Sequence, residues 1–371
     1  MTKPLDIVII GLSLSSSWGN GHATTFRALI RGLKEEGHRV LFLERDVPWY
    51  ASQRDLADPD FCTLCYYSSV DELVSTYAGK IQAADAVIIG SYVPEGVAVT
   101  DAVAALGPKK LCFYDIDTPV TLAKLDRGDE EYLKLAQVPL FDGYFSFSGG
   151  EVLKRLERDY KAQKAIDLYC SVDADRYQNT GEAFQWDLGY LGTYSPDRQP
   201  VLERLLIEPA RALPHMRFVV AGPQYPADID WPANVERIDH LPPAEHPSFY
   251  SRQRFTLNVT RADMVAAGWS PSVRLFEAGA CGTPIISDFW RGLDELLPDG
   301  EALVIARETS DVIKALSEID EDKRQAIATA ARHIVMKSHT GLARAGQLVS
   351  AIQALPMRHH DAHSLLDRIS A

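Results

Sequence analysis

The segment Gly268-Trp-Ser-Pro-Ser-Val-Arg-Leu-Phe-Glu-Ala-Gly-Ala-Cys-Gly-Thr-Pro-Ile-Ile-Ser-Asp288 gathers residue types that hold phosphate and sugar. It reads as a loop, a short helix, a glycine turn at Gly282 and a buried strand at Ile285-Ile286. Ser270 suits the N-cap and Pro271 the first helical position, where no N–H is needed. A helix N-terminus beside Ser270 and Ser272 is a seat for a phosphate. Glu277 stands over a turn further along, where a carboxylate can accept hydrogen bonds from a sugar's hydroxyl pair. Together these are the parts of a nucleotide-sugar site. The alternative is a plain helix of a doubly wound sheet, with Glu277 on its solvated face.

Two more clusters lie in the first half. Ser15-Ser-Ser-Trp-Gly19-Asn20-Gly21-His22 follows a strand-like run and opens a helix. Its glycines let backbone approach a ligand closely, beside a helix start that favours anions. With Glu44 ending the second strand, a dinucleotide site has to be weighed. Against it, Thr24 stands where the fingerprint needs a small residue, and the glycine pair follows the strand end too late for a tight turn. Asp115 and Asp117 end another buried strand, at the end that faces the ligand crevice of an open α/β sheet. Two apart in extended chain, they share a face. There they can bind an acceptor, act as a base or hold a divalent metal; alternatively Asp117 forms the turn before Thr118-Pro119.

These groups need a scaffold, and the hydrophobic pattern supplies one. Buried strands at Ile7–Ile10, Arg39–Leu43, Ala86–Ile89, Lys110–Tyr114 and Gly143–Phe147 alternate with helices at about 23–36, 70–82 and 97–106. The pattern restarts after the polar stretch Gln178–Glu182, with strands near 186–191, 217–221, 235–238, 255–259, 284–286 and 302–305 and a helix at about 200–213. This alternation predicts an α/β protein of two Rossmann-like, doubly wound domains. The expected division is an N-terminal domain over 1–180, a C-terminal domain over 186–340 and a helical segment over 341–371.

At 371 residues the chain suits two domains. A formal net charge of −13 argues against a nonspecific nucleic-acid binder or an anionic-membrane anchor. No apolar run reaches the about 18 residues of a transmembrane helix, and the short acidic-flanked start does not read as a signal peptide. A cytoplasmic protein is therefore expected. The five cysteines include one lone pair, Cys62-Thr-Leu-Cys65, open to zinc or redox chemistry but more simply reduced. His359, His360 and His363 are a conceivable metal cluster or a solvated tail.

Arg274-Leu-Phe-Glu277-Ala with Cys281-Gly-Thr-Pro-Ile resembles the donor-binding motif of GT-B glycosyltransferases, in particular the CgeB-like (spore maturation protein) branch. Gly11–Tyr50, with Trp18-Gly-Asn-Gly-His22 and Leu43-Glu-Arg-Asp-Val-Pro-Trp49, looks like the N-terminal part of the same enzymes. The resemblance implies two Rossmann-like domains facing a cleft, with the last helix packing back on the first. It implies a nucleotide-diphosphate sugar as donor and an unknown acceptor, with no further cofactor and no bound metal. Glu277 matches the glutamate that contacts the donor ribose. Many relatives carry a second glutamate where this chain has Trp269, so the paired pattern is broken. Loops such as Gly192-Thr193…Arg198 and Ala221-Gly222-Pro223 would serve the diphosphate and base. Arg198, Arg274 or Arg261 would neutralise the diphosphate through a guanidinium fork. Gly19, Asn20 and Gly21 match the family's glycine loop, and His22 would take or give a proton. A same-fold nucleotide-sugar epimerase, a non-catalytic nucleotide-binding or assembly protein, and a dehydrogenase are the rival readings.

Overall fold

A computed structural model describes residues 3–18 and 21–357. The chain forms two compact units, one holding residues up to Cys170 together with the segment from Gly341 onward, the other Ser171–Thr340. The passage between them precedes the polar stretch at 178–186. Val172 already bridges to Thr340, and its N–H donates to the His339 carbonyl at 2.9 Å, which ties this segment to the second unit.

The first unit carries seven parallel strands: β1 (Asp6–Gly11), β2 (Arg39–Arg45), β3 (Thr63–Tyr67), β4 (Ala86–Gly90), β5 (Leu111–Asp115), β6 (Gly143–Ser146) and β7 (Ala165–Asp167). Their order is β3-β2-β1-β4-β5-β6-β7. The central strands are continuous apolar runs because helices cover both faces of a parallel sheet. Edge strands β3 and β7 escape the hydrophobic pattern because they are short and half-buried. Helix α1 (His22–Glu35) buries Phe26, Leu29, Ile30 and Leu33 on one side. Helix α2 (Thr118–Asp126) follows β5.

The second unit carries β8 (Trp186–Leu191), β9 (Phe218–Ala221), β10 (Val235–Ile238), β11 (Gln253–Asn258), β12 (Ile285–Ser287) and β13 (Val304–Ile305), ordered β10-β9-β8-β11-β12-β13. The helical run after β8 spans Gln199–Ala212 and contains a π turn at Glu203–Ile207. Helix α3 (Val273–Ala280) precedes β12, and α4 (Glu321–Ser338) packs against α3.

Helix α5 (Gly341–Ala354) lies on α1, as the resemblance implies. The two backbones come so close that a Cβ on Gly32 would sit 2.4 Å from the Gly341 carbonyl oxygen, and one on Gly341 would sit 2.1 Å from that of Ala28. Leu348, Val349 and Ile352 extend the core of Ile7, Ile9, Phe26 and Leu33. No helix among the described residues is long and apolar enough to cross a membrane.

Candidate functional site

Each sheet reverses its strand order once, between β1 and β4 and between β8 and β11. Loops leaving the carboxyl ends of such strands diverge and open a crevice. In the first unit that place collects His22 at the start of α1, Ser91 after β4 and Asp117 after β5. His22 Nε2 lies 2.8 Å from Asp117 Oδ2, and Ser91 Oγ donates to the same oxygen at 2.9 Å. His22 is 6 % exposed, and its Nδ1 has no partner among the described residues. Nε2 is thus the ring nitrogen engaged by Asp117, and Nδ1 is the one without a partner.

Tyr92 stands edge-on to His22 with ring centroids 6.1 Å apart. Its φ of 57° is left-handed backbone, which costs a non-glycine residue about 1–2 kcal/mol. The segment is pinned: the Ile116 N–H donates to Ser91 Oγ at 3.1 Å, and the Ser91 N–H to the Tyr114 carbonyl at 3.0 Å.

Asp115 does not join this site. It is fully buried, accepting from Tyr144 Oη at 2.6 Å, Thr121 Oγ1 at 2.7 Å and the Asp117 N–H at 3.2 Å. β5 ends at Asp115 and Asp117 caps α2, so the chain turns between them and the shared face expected from extended backbone is lost. Burial pushes the Asp115 carboxyl up to about 7, opposed by the hydroxyls of Tyr144 and Thr121. Its role is to hold the turn that aims Asp117.

Glu44 is likewise occupied from within. Its Oε2 accepts the Leu14 and Ser15 N–H groups at 2.7 and 2.9 Å, and its Oε1 the hydroxyls of Ser15 at 2.6 Å and Ser13 at 3.3 Å. The acid considered for a dinucleotide ribose thus fastens the first loop. Gly21 takes the N-cap of α1 without a side-chain bond. Gly19 and Asn20 lie outside the described residues, as do His359, His360 and His363. Among the described residues no group of three His, Cys, Asp or Glu is placed to hold a metal ion.

The second crevice is cationic. Arg274 Nε donates to the Leu191 carbonyl at 2.6 Å and Nη1 to Asn258 Oδ1 at 3.1 Å, with the guanidinium 5.1 Å from the Tyr190 ring centre. Arg198 Nη2 donates to the Thr193 carbonyl at 2.5 Å, while its Nε has no partner among the described residues. Burial, then the like charges of Arg274 and Arg261, lower the Arg198 pKa. No carboxylate among the described residues comes within 4.0 Å of these three guanidinium groups, although other arginines of the unit are paired in this way. The adjacent Asp197 takes the Ser195 hydroxyl and the Ala262 N–H. Three clustered cations, none in ion-pair contact with a carboxylate among the described residues, fit an anion of two or more charges. Gly222, at φ 139°, lets the loop after β9 touch the loop after β8; a Cβ there would lie 2.2 Å from the Gly192 carbonyl oxygen.

Asn258, at the end of β11, organises this half, and the sequence reading gave it no role. Its Oδ1 accepts from Arg274 and from Ser272 Oγ at 2.8 Å, while its Nδ2 donates to Ser287 Oγ at 2.9 Å and Thr260 Oγ1 at 3.1 Å. A polar residue at a strand's carboxyl end was the available signal. The helix begins at Val273, so Ser272 rather than Ser270 takes the N-cap position. Its hydroxyl serves Asn258 and not the helix amides. Ser270 is fully buried, with Oγ donating to the Gly268 carbonyl at 2.8 Å, and is no open phosphate seat.

Glu277 is 7 % exposed rather than on a solvated face. Its Oε2 accepts from Tyr250 Oη at 3.1 Å, and Tyr177 Oη meets His246 Nδ1 at 3.2 Å; burial and then the Glu277 charge raise the Tyr177 pKa. Burial lowers the His246 pKa, opposed by Glu277 and assisted by Arg274, so that histidine feels both groups. A carboxylate has about four lone-pair positions, which leaves room for hydroxyls beyond that of Tyr250.

The architecture is the two-unit parallel-sheet fold of the GT-B glycosyltransferases. HepE from Anabaena, solved with UDP and glucose, superposes with a TM-score of 0.67 at 15 % identity, covering 95 % of this chain and 100 % of that one. Sucrose-phosphate synthase from Thermosynechococcus elongatus gives 0.65 at 13 %, covering 95 % and 99 %. A glycosyltransferase from Rickettsia africae gives 0.68 at 12 %, with the same coverage. The model of a glycosyl transferase-like family matches residues 198–350, from Arg198 through α3 and into α5. No curated protein matches the sequence.

Proposed function

We propose that this protein is a glycosyltransferase that moves a sugar from a nucleotide-diphosphate sugar to a hydroxyl acceptor. The observation that carries the reading is the cluster of Arg198, Arg261 and Arg274 without a carboxylate partner at the carboxyl ends of the second sheet. Departure of a nucleoside diphosphate builds negative charge, which fixed cations stabilise without reorganisation. The second unit takes the donor, with Glu277 on the ribose hydroxyls and the arginines on the diphosphate; the first takes the acceptor. The acceptor oxygen attacks the anomeric carbon, the bond from that carbon to the diphosphate oxygen breaks, and the acceptor's proton passes to His22 Nδ1.

The matched family model over 198–350 and the likeness to enzymes solved with UDP or UDP-glucose support this reading and make UDP the first nucleotide to try. The finer placement among CgeB-like transferases rests on the motifs at 11–50 and 268–288. So does the absence of a cofactor beyond the donor, while the cytoplasmic location is proposed from the lack of a membrane-length apolar run.

Thermal denaturation with a panel of nucleoside diphosphates, on wild type and Glu277→Ala, tests the donor site. A ligand at 100 times its Kd adds about 2.7 kcal/mol to the folded state. Stabilisation by one diphosphate, reduced in Glu277→Ala, is expected. Indifference of the wild type to every nucleotide, or an unchanged response in the variant, would overturn the assignment.

A further inference from the structure

Two tryptophans face solvent at the carboxyl end of the first sheet, and the chemistry above does not use them. Trp18 lies in the loop that leaves β1 and is 48 % exposed. Trp49 lies in the helical turn Pro48–Ala51 that follows β2 and is 63 % exposed, more than any other large apolar side chain among the described residues. β1 and β2 are neighbours in the sheet, and the two rings meet edge to face with centroids 4.8 Å apart. Trp18 precedes His22 by four residues, so their Cα atoms are at most about 14 Å apart.

A stitched frame holds the rings out. The Asp55 and Leu56 N–H groups donate to the Ser15 carbonyl, both at 3.0 Å, and Ser16 Oγ donates to the Gln53 carbonyl at 2.8 Å. The Ser17 N–H and hydroxyl both donate to the Asp55 carboxylate at 2.9 Å. The loop of Trp18 and the segment after Trp49 are thus fastened to each other. The charges that border them are already matched: Arg27 by Asp55, Arg45 by Glu95 and Arg54 by Asp46. A phosphorylated or acidic ligand finds no spare cation among these arginines. The apolar area is also small. About half of two indoles of roughly 150–250 Å² each gives on the order of 200 Å², against the about 800 Å² that one partner brings to a standard protein interface. A second copy of the chain or another protein is therefore a poor occupant, and a small neutral molecule a good one.

We infer that Trp18 and Trp49 form the platform for the acceptor, and that the acceptor is a neutral saccharide. An aromatic face is electron-rich, and the C–H face of a sugar ring is weakly positive, so the two pack while the sugar's hydroxyls stay hydrated at the rim. One sugar ring stacks on the tryptophans, and a hydroxyl of that ring or of the next one reaches His22. The hydroxyl at His22 rests on the transfer reading given above; the platform rests on the exposed rings and the matched charges around them.

Saturation-transfer NMR and isothermal titration of the full chain test it, with a panel of neutral mono- and disaccharides, glucuronic acid and phenol as probes and UDP as a control for the donor side. At least one neutral saccharide is expected to bind saturably, and more tightly than glucuronic acid or phenol. Trp49→Ala and Trp18→Ala are each expected to weaken it about tenfold, the worth of an aromatic contact, and Trp49→Phe to recover most of that loss. The melting temperature of the free protein and its affinity for UDP should not change in these variants. Absence of saturable saccharide binding, tighter binding of glucuronic acid or phenol, or an affinity unchanged in both alanine variants would overturn the inference. Self-association of the wild type that is lost in Trp49→Ala would overturn it too, by making the pair a contact between copies. Saccharide binding by a protein that ignores every nucleotide would keep the platform and overturn the transfer reading instead.

Discussion

The two crevices solve opposite electrostatic problems. In the first unit the carboxylates are met from within: buried Glu44 by two amides and two hydroxyls, buried Asp115 by Tyr144, Thr121 and an amide, half-buried Asp117 by Ser91 and His22. At the mouth of this crevice His22 Nδ1 stays without a partner among the described residues. In the second unit Arg198, Arg261 and Arg274 cluster without a carboxylate in ion-pair contact among the described residues. The proposed function uses the first arrangement to move one proton and the second to receive an anion. Unsatisfied groups mark both, because folding leaves such groups buried only where something else offsets their cost.

That contrast can be broken on either side. The largest effect is expected from His22→Ala, which should lower the rate of nucleoside diphosphate release by about 10²–10⁴-fold, the usual worth of a general base. Nucleotide binding, read by thermal shift, should not change. Equal loss of rate and of nucleotide binding would instead make His22 part of the donor site.

Asp115 tests the claim that the first unit's other carboxylates are structural. Its carboxyl sits near 7 in the folded protein, above the 3.8 of an exposed aspartate. The folded state therefore holds that proton more tightly than the unfolded state between about pH 4 and pH 7. Stability falls as pH rises through this window, by a term on the order of 4 kcal/mol. Denaturant melts of Asp115→Asn should show a flatter pH profile there than wild type. A profile parallel to wild type would mean that Asp115 is ionised throughout.

Arg274→Ala should weaken UDP binding by about 10–100-fold, the worth of one charge-assisted contact. Arg274→Lys should recover only part of it, because an ammonium lacks the planar fork. Titration calorimetry separates these outcomes, and an unchanged affinity in Arg274→Ala would remove that residue from the anion site.

Much of this was legible in the residue order. Ile7–Ile10, Ala86–Ile89 and Phe218–Ala221 announce buried parallel strands by their unbroken apolar character. His22, Asp117, Arg198 and Arg274 stand out as candidates because they follow such strands or open the helices after them, and Glu277 as one a turn further into its helix. Ser270 and Asp115 misled for local reasons. Ser270 fits an N-cap by type, but α3 starts three residues later. Asp115 shares a face with Asp117 only while the chain stays extended, and it turns at Asp117.

The sequence by itself determined the two parallel sheets and the loops that could bear chemistry, because hydrophobic period and glycine placement are local properties. Only the tertiary structure decided which polar groups are answered. Tyr250 reaches Glu277 from a distant segment, Asn258 gathers Ser272, Arg274 and Ser287, and Glu44 closes on a loop some thirty residues before it. Whether a carboxylate is a ligand site or an internal fastening depends on the donors around it, and those donors are neighbours in space rather than in the chain.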